Sequence, residues 1–172
     1  KTDKEGLSPV LIFFSAAQAK SLAHLAIKES KDKKEYQKAL KAAPSMDMAL
    51  FGRMVAADPA LNFDAAAQVA HAISTHAVHN EYDYFTAVDD LIQDEESGAG
   101  HLGTVEFNSA TLYRYATVNV AELQKNLGAQ TGNAVKCFAE AFIKAMPTGK
   151  QNTFANRTLP DFVYIALRED QP

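Results

Sequence analysis

The chain has 172 residues, 47% of them hydrophobic and 22% charged, with a net charge of −4, the make-up of a soluble globular protein of one domain, or one domain with an appendage. No apolar run nears the ~20 residues of a membrane-spanning helix, and the single cysteine, Cys137, excludes an internal disulfide. The acidic balance lacks the basic footprint usual in nucleic-acid binders.

The chain begins Lys1-Thr2-Asp3-Lys4, with neither an initiator Met nor a signal peptide, which reads as the interior of a longer cytoplasmic protein. Ser8-Pro9 pairs an N-cap hydroxyl with a proline at the first helical position. Val10, Phe13, Phe14, Ala17, Ser21 and Leu25 then recur at helical spacing, so a helix is expected over residues 9–28. A more polar helix fits residues 33–43 and stops before Pro44. Lys28, Lys31, Lys33, Lys34, Lys38 and Lys41 crowd the connection between them, and a solvated face accounts for them.

Residues 46–54 read as a strand or edge segment, with Gly52 at a bend or close approach. After a loop at Asp58-Pro59, residues 66–78 fit a strand, and residues 79–105 form a long excursion. Residues 106–119 are the clearest strand: Phe107, Ser109, Thr111, Tyr113, Tyr115 and Thr117 share one face. Thr131 opens an amphipathic helix in which Val135, Phe138, Ala139, Phe142, Ile143 and Met146 keep the helical period, ended by Pro147 and Gly149. Cys137 falls inside it, as a small buried hydrophobe. A last strand is expected at residues 162–168, with Val163, Ile165 and Leu167 turned inward. The fold class is therefore α+β: a helical segment over residues 1–45, then a β–excursion–β–α–β order over residues 46–172. That order is most of a βαββαβ ferredoxin-like unit lacking its first βα.

Closing and ordering so long an excursion costs entropy, and loops beyond roughly 12–15 residues are functional or disordered as a rule. With strand on both sides, this one reads as a finger that grips something. Tyr82, Tyr84 and Phe85 stand beside Asp83, Asp89 and Asp90. Exposed aromatics beside acids meet a partner or fold back as a plug, and because acids repel phosphate, stacking fits better than charge attraction. The aromatic and hydroxyl face of residues 106–119 suits stacking on RNA bases, and suits packing against the helices equally well.

His71, His76, His79 and His101 carry no HxH or HExxH spacing, and on a strand His71 and His76 point to opposite faces. No metal is expected. Asp89 and Asp90 can be drawn with His101 as an acid–base set, but nothing fixes their geometry. GxSxG, a Walker loop and paired CxxC are all missing from the sequence, so neither catalysis nor a cofactor is expected.

Five blocks, MALFGRM (residues 48–54), AHAISTHAV (70–78), DYFTAVDDL (83–91), GHLGTVEFNSATLYRYATVNVAEL (100–123) and GKQNT (149–153), resemble the CasC-type backbone subunit of type I-E Cascade, the CRISPR RNA-guided surveillance complex. The resemblance implies a hand-shaped protein: helical fingers over residues 1–45, a modified RNA-recognition-type palm over residues 46–172, and a thumb over residues 79–105. It implies guide RNA, the target DNA strand paired to that guide, other Cascade subunits and neighbouring copies in a filament as partners, with no membrane. Each thumb is expected to fold over RNA held by its neighbour and kink a nucleotide out, without nuclease activity.

Position by position, Tyr84, Phe85 and Thr86 match the family's aromatic–Phe–Thr element beside the displaced base. Tyr84 stands where relatives often carry tryptophan and keeps a π face. Met54 matches an apolar wedge against the bases, with Arg53 beside it. His101 and Leu102 match the returning end of the thumb, and Lys150 and Asn152 of GKQNT complete the expected RNA contacts. The chain departs from the family in length: the first strand, the basic helix that holds guide phosphates, and a C-terminal region fall outside it, consistent with its acidic balance. The alternative is a protein–protein module whose thumb clasps a neighbouring protomer without touching RNA.

Overall fold

In the computed structural model, which describes residues 11–87 and 101–170, the first helix, α1 (Ala16–Ile27), starts at a capping box. Ser15 Oγ accepts from the Gln18 N–H and Gln18 Oε1 accepts from the Ser15 N–H, both at 3.1 Å. The start expected at Ser8-Pro9 lies outside the described residues; residues 11–15 are not helical, so α1 begins at this later cap. The one buried side chain of α1 is polar. Gln18 is fully enclosed, and its Nε2 donates to the carbonyls of Leu40 (2.7 Å) and Ala42 (2.9 Å). Those carbonyls close α2 (Lys33–Lys41), whose N-cap Asp32 accepts from the Lys34 N–H at 2.8 Å.

Residues Met46–Phe51 form a helix, α3, where a strand was expected. A six-residue run with Asp47 as its one polar side chain is too short to declare its period; Asp47 in the first turn and Gly52 at φ +77° decide for the helix. A β-carbon at Gly52 would lie 2.8 Å from the Phe63 carbonyl oxygen. After a 3-10 turn at Pro59–Leu61 comes β1 (Ala67–Val69).

The chain divides into two compact units, Lys1–Gln68 with Ala116–Pro172, and Val69–Tyr115. The core of the first joins Ala49 and Leu50 of α3, Ala66 and Ala67 at β1, Leu123 of α4 (Val120–Leu127) and Ala134 of α5 (Thr131–Lys144). Four alanines in six positions let backbones approach closely around two large residues, Leu50 and Leu123. No helix was expected at α4, although its sequence carries the punctuation: Asn119 Oδ1 accepts from the Glu122 N–H at 3.0 Å, and Gly128 follows at φ +54°.

α5 follows its expected stripe, with Val135, Phe138, Ala139, Phe142 and Ile143 all half-buried, but it ends at Lys144, so the half-buried Met146 lies beyond it. Phe138 packs on Phe51 with centroids 6.1 Å apart and on Phe142 at 6.0 Å. Thr131 does not cap it in the expected way; its Oγ1 donates to the Gly128 carbonyl at 2.7 Å. Cys137 is exposed, contrary to expectation, because the buried face of α5 runs through Thr131 and Ala134.

In place of the two long strands expected at residues 66–78 and 106–119, the described residues form three two-stranded sheets. β1 pairs with β6 (Ala116–Val118), β2 (Ile73–Ser74) with β5 (Leu112–Tyr113), and β3 (Glu81–Ala87) with β4 (His101–Phe107). Residues 108–111 and 114–115 interrupt the second stretch, although Tyr113 and Tyr115 keep a common face and stack at 6.4 Å.

No strand forms at residues 162–168 among the described residues. A strand needs a ladder partner, and none is found there. Val163, Ile165 and Leu167, expected to turn inward, are exposed. A short helix, α6 (Gln151–Phe154), precedes this segment between two residues of left-handed backbone, Lys150 and Ala155. Among the described residues no helix is long and apolar enough to cross a membrane.

Candidate nucleic-acid interface

Within the second unit, β3 and β4 pair antiparallel over seven residue pairs, from Glu81 opposite Phe107 to Ala87 opposite His101. Strand alternation sorts the side chains onto two faces. Tyr82, Tyr84 and Thr86 share one face with Glu106, Thr104 and Leu102. Asp83 and Phe85 share the other with Val105 and Gly103. The first face is the open one: Tyr82 and Tyr84 are about two-thirds exposed, and Leu102 is nearly as open. On the second, Phe85 is more covered, and its ring lies against Gly103. Tyr84 and Phe85, expected together beside one base, thus project to opposite sides of the ribbon.

Amide side chains bracket the ribbon's base. Asn80 Nδ2 donates to Glu106 Oε2 at 3.4 Å, and Asn108 Nδ2 donates to Asn80 Oδ1 at 3.2 Å. Nearby in sequence, the His76 ring is committed to backbone: its Nε2 accepts from the Thr111 N–H at 3.1 Å, so its Nδ1 carries the proton that reaches the Ala77 carbonyl. Asp89 and Asp90, with the rest of residues 88–100, lie outside the described residues. Among the described residues no three His, Cys, Asp or Glu side chains come together as a metal site.

In the first unit, Arg53 and Met54 follow α3 directly but face different surroundings. Met54 is 82% exposed at the edge of an open cleft lined by Phe51, Asn62, Phe63 and Asp64. Arg53 is buried, only 6% exposed. Its Nε and Nη2 donate to the Leu61 carbonyl (3.1 and 2.7 Å) and Nη2 to the Leu40 carbonyl (3.0 Å). Nη1 donates to the Phe13 carbonyl (3.2 Å) and to Gln18 Oε1 (3.3 Å). The guanidinium also lies 5.0 Å from the Phe63 ring centroid. Burial pushes its pKa below the ordinary arginine value, yet the charge stays, since arginine does not deprotonate in proteins. Every guanidinium nitrogen is engaged by the chain itself.

Lys150 and Asn152 sit at and within α6, where Lys150 takes a φ of +55° and its carbonyl accepts from the Thr153 and Phe154 N–H groups, both at 3.0 Å. The structure therefore gathers the expected residues as separate groups: Tyr84, Phe85, Thr86, His101 and Leu102 on one ribbon, Arg53 and Met54 on one turn, Lys150 and Asn152 on one short helix. Sequence reasoning missed Gln18, whose amide joins Arg53 in the interior. Its only signal was its place as the fourth residue of a Ser-x-x-Gln capping box, which accounts for its start-of-helix role but not for the arginine.

No curated protein matches the chain. Among solved structures, a chain of a "CRISPR RNA-guided surveillance complex, pre-nicking" matches at a TM-score of 0.77 and 36% identity, over 94% of this chain and 48% of that one. A chain of a "CRISPR RNA-guided surveillance complex" matches at 0.61 and 35%, over 87% and 54%. This chain spans about half the length of the solved chains it resembles. The family model described as CT1975-like protein matches residues 1–172, and the chain belongs to the CT1975-like protein family.

Proposed function

We propose that the chain is the central part of a CasC-type backbone subunit of a type I-E Cascade, a non-catalytic cytoplasmic protein that binds CRISPR guide RNA and polymerises along it with other subunits. In this reading residues 1–45 are the fingers and residues 46–172 a modified RNA-recognition-type, ferredoxin-like palm. Residues 79–105 are the thumb, which displaces a nucleotide from the guide so that the rest remain free to pair with target DNA. The observation that carries the reading is the β3–β4 ribbon. Its open face presents two tyrosines and Leu102 to solvent, a display that a protein maintains for a partner.

Tyr84, with Thr86 and Leu102 on the same face, is the stacking surface for bases, Phe85 against Gly103 shapes the other side, and His101 belongs to the returning end of the thumb. Met54 is the wedge. Lys150 and Asn152 contact the RNA backbone. Arg53, whose donors are all engaged within the chain, supports the wedge from inside. Because the guide sequence varies, recognition has to rest on backbone shape and stacking and not on base edges.

The reading is tested by photo-crosslinking from a probe at position 84 in the intact protein assembled with its guide. The expected product is a nucleotide adduct. Adducts with a neighbouring protomer alone would instead favour the protein–protein clasp, to which Glu106, directly opposite Tyr82 on the same face, lends support, since acids repel phosphate.

A further inference from the structure

We propose that Arg53 is a positioning residue: its guanidinium latches the α1–α2 hairpin to the Arg53–Phe63 bridge and so sets the angle at which Met54 is presented, with Gln18 as the second member of the latch. The inference rests on the reading of Met54 as a wedge and adds the device that holds it.

Removing a guanidinium from water is costly unless hydrogen bonds and charge replace the solvent. Among the described residues no carboxylate makes an ion pair with Arg53. Backbone carbonyls of Phe13, Leu40 and Leu61 and the Gln18 side chain take that place, so one planar group holds three separate stretches of chain, at residues 13–18, 40 and 61. An apolar side chain of equal volume would fill the space without fixing those stretches. Gln18 is built into the same arrangement. Its Oε1 accepts from both Ser15 N–H and Arg53, while its Nε2 spans the end of α2.

Met54 hangs between two tied neighbours. The Arg53 N–H donates to the Phe63 carbonyl (3.0 Å) and the Phe63 N–H to the Arg53 carbonyl (2.9 Å). On the other side, the Val55 N–H donates to Asn62 Oδ1 at 2.6 Å. Methionine is unbranched, with three rotatable side-chain bonds, so on a loose backbone it would yield to a base instead of displacing one. A wedge of this kind needs its support held to within about 0.5 Å, and the latch provides that from below.

The test uses the intact protein with 13C-methyl-labelled methionine, assembled with a guide carrying 2-aminopurine at the displaced position, in wild type, Met54→Ala, Arg53→Lys and Gln18→Leu. Lysine keeps the charge but cannot fork to several carbonyls. In Arg53→Lys the Met54 methyl resonance should move toward its random-coil position while that of buried Met48 stays put, and the unstacking fluorescence should fall to the Met54→Ala level. Gln18→Leu should shift both signals in the same direction by less, and it decides the matter if Arg53→Lys loses the Met48 resonance. Wild-type signals in both variants would overturn the latch. So would a wild-type Met54 amide as mobile as a loose loop, with an order parameter below about 0.6. Wild-type fluorescence in Met54→Ala would reject the wedge itself, whereas a lost Met54→Ala signal beside an unchanged Arg53→Lys signal would reject the latch alone.

Discussion

The ring of Phe85 lies across Gly103, its direct partner on the facing strand: a β-carbon added at Gly103 would sit 2.7 Å from the ring's Cζ and 2.9 Å from Cε1. An aromatic side chain covering a bare glycine backbone supports an otherwise weak strand position. Gly103→Ala must therefore push Phe85 aside. The ring tip can swing, and strand propensity favours alanine, so the change in stability should stay within about 1 kcal/mol. Guide affinity should nonetheless fall toward that of Phe85→Ala in filter binding. Wild-type affinity together with a shifted Phe85 ring resonance would remove Phe85 from the contact.

Tyr84 and Phe85 face opposite sides of the ribbon, so their losses should be separable. Stacking of one base on one aromatic contributes about 1–3 kcal/mol, or roughly 5- to 150-fold in affinity. Tyr84→Ala should lose that much, Tyr84→Trp should lose little, and the double change with Phe85→Ala should approach the sum. Titration of labelled guide with the intact protein measures all three. A Tyr84→Ala protein that binds as tightly as wild type would argue that this face meets protein.

Leu123 is fully buried among Ala49, Leu50, Ala66 and Ala134. With three of those four neighbours alanines that cannot reach into the space, Leu123→Ala leaves a void and should cost about 2–5 kcal/mol. Urea unfolding should show a lower midpoint with an unchanged slope. A shift near zero would mean that this cluster is not the stabilising core.

Lys125 Nζ, in the last turn of α4, donates to Glu122 Oε2 in the first turn at 2.8 Å, and this hydrogen bond and charge hold the Glu122 carboxyl below its ordinary pKa. A lowered carboxyl pKa stabilises the folded state above the unfolded value of about 4.3, and that support fades as pH falls through the lowered value. Both groups are exposed, so the effect on unfolding should be small and should weaken in salt. NMR titration of Lys125→Met should move the Glu122 pKa up; an unmoved titration would show that the pair is not formed in solution.

Helices α2 and α5 were legible because a following proline and, in α5, apolar spacing act locally; α1 was anticipated over residues 9–28, but it starts at the Ser15 cap and buries Gln18 instead of the expected apolar stripe. α3 was not, since Met46–Phe51 has one polar residue, Asp47, and is too short for its period to show. α4 was passed over although Asn119, Glu122 and Gly128 mark both its ends. The stretch at residues 106–119 alternates like one strand, but ladder partners at separate places along the chain cut it into pieces. Residues 162–168 alternate as well, and pattern alone supplies no partner. At the candidate site, the aromatics could be read in advance but not the ribbon: residues 79–105 were expected as a loop, and residues 81–87 and 101–107 form paired strands. The environment of Arg53 could not: three of its acceptors are backbone carbonyls from Phe13, Leu40 and Leu61, and every residue type has a carbonyl.

Suspending Met54 between tied neighbours separates reach from framework. Replacing that side chain with another unbranched or branched apolar residue changes how far and how broadly it protrudes, while Arg53, Val55, Asn62 and Phe63 keep their bonds. Under the proposed role of Met54 as a wedge, the depth of its insertion would be retuned by one codon without disturbing the architecture beneath it.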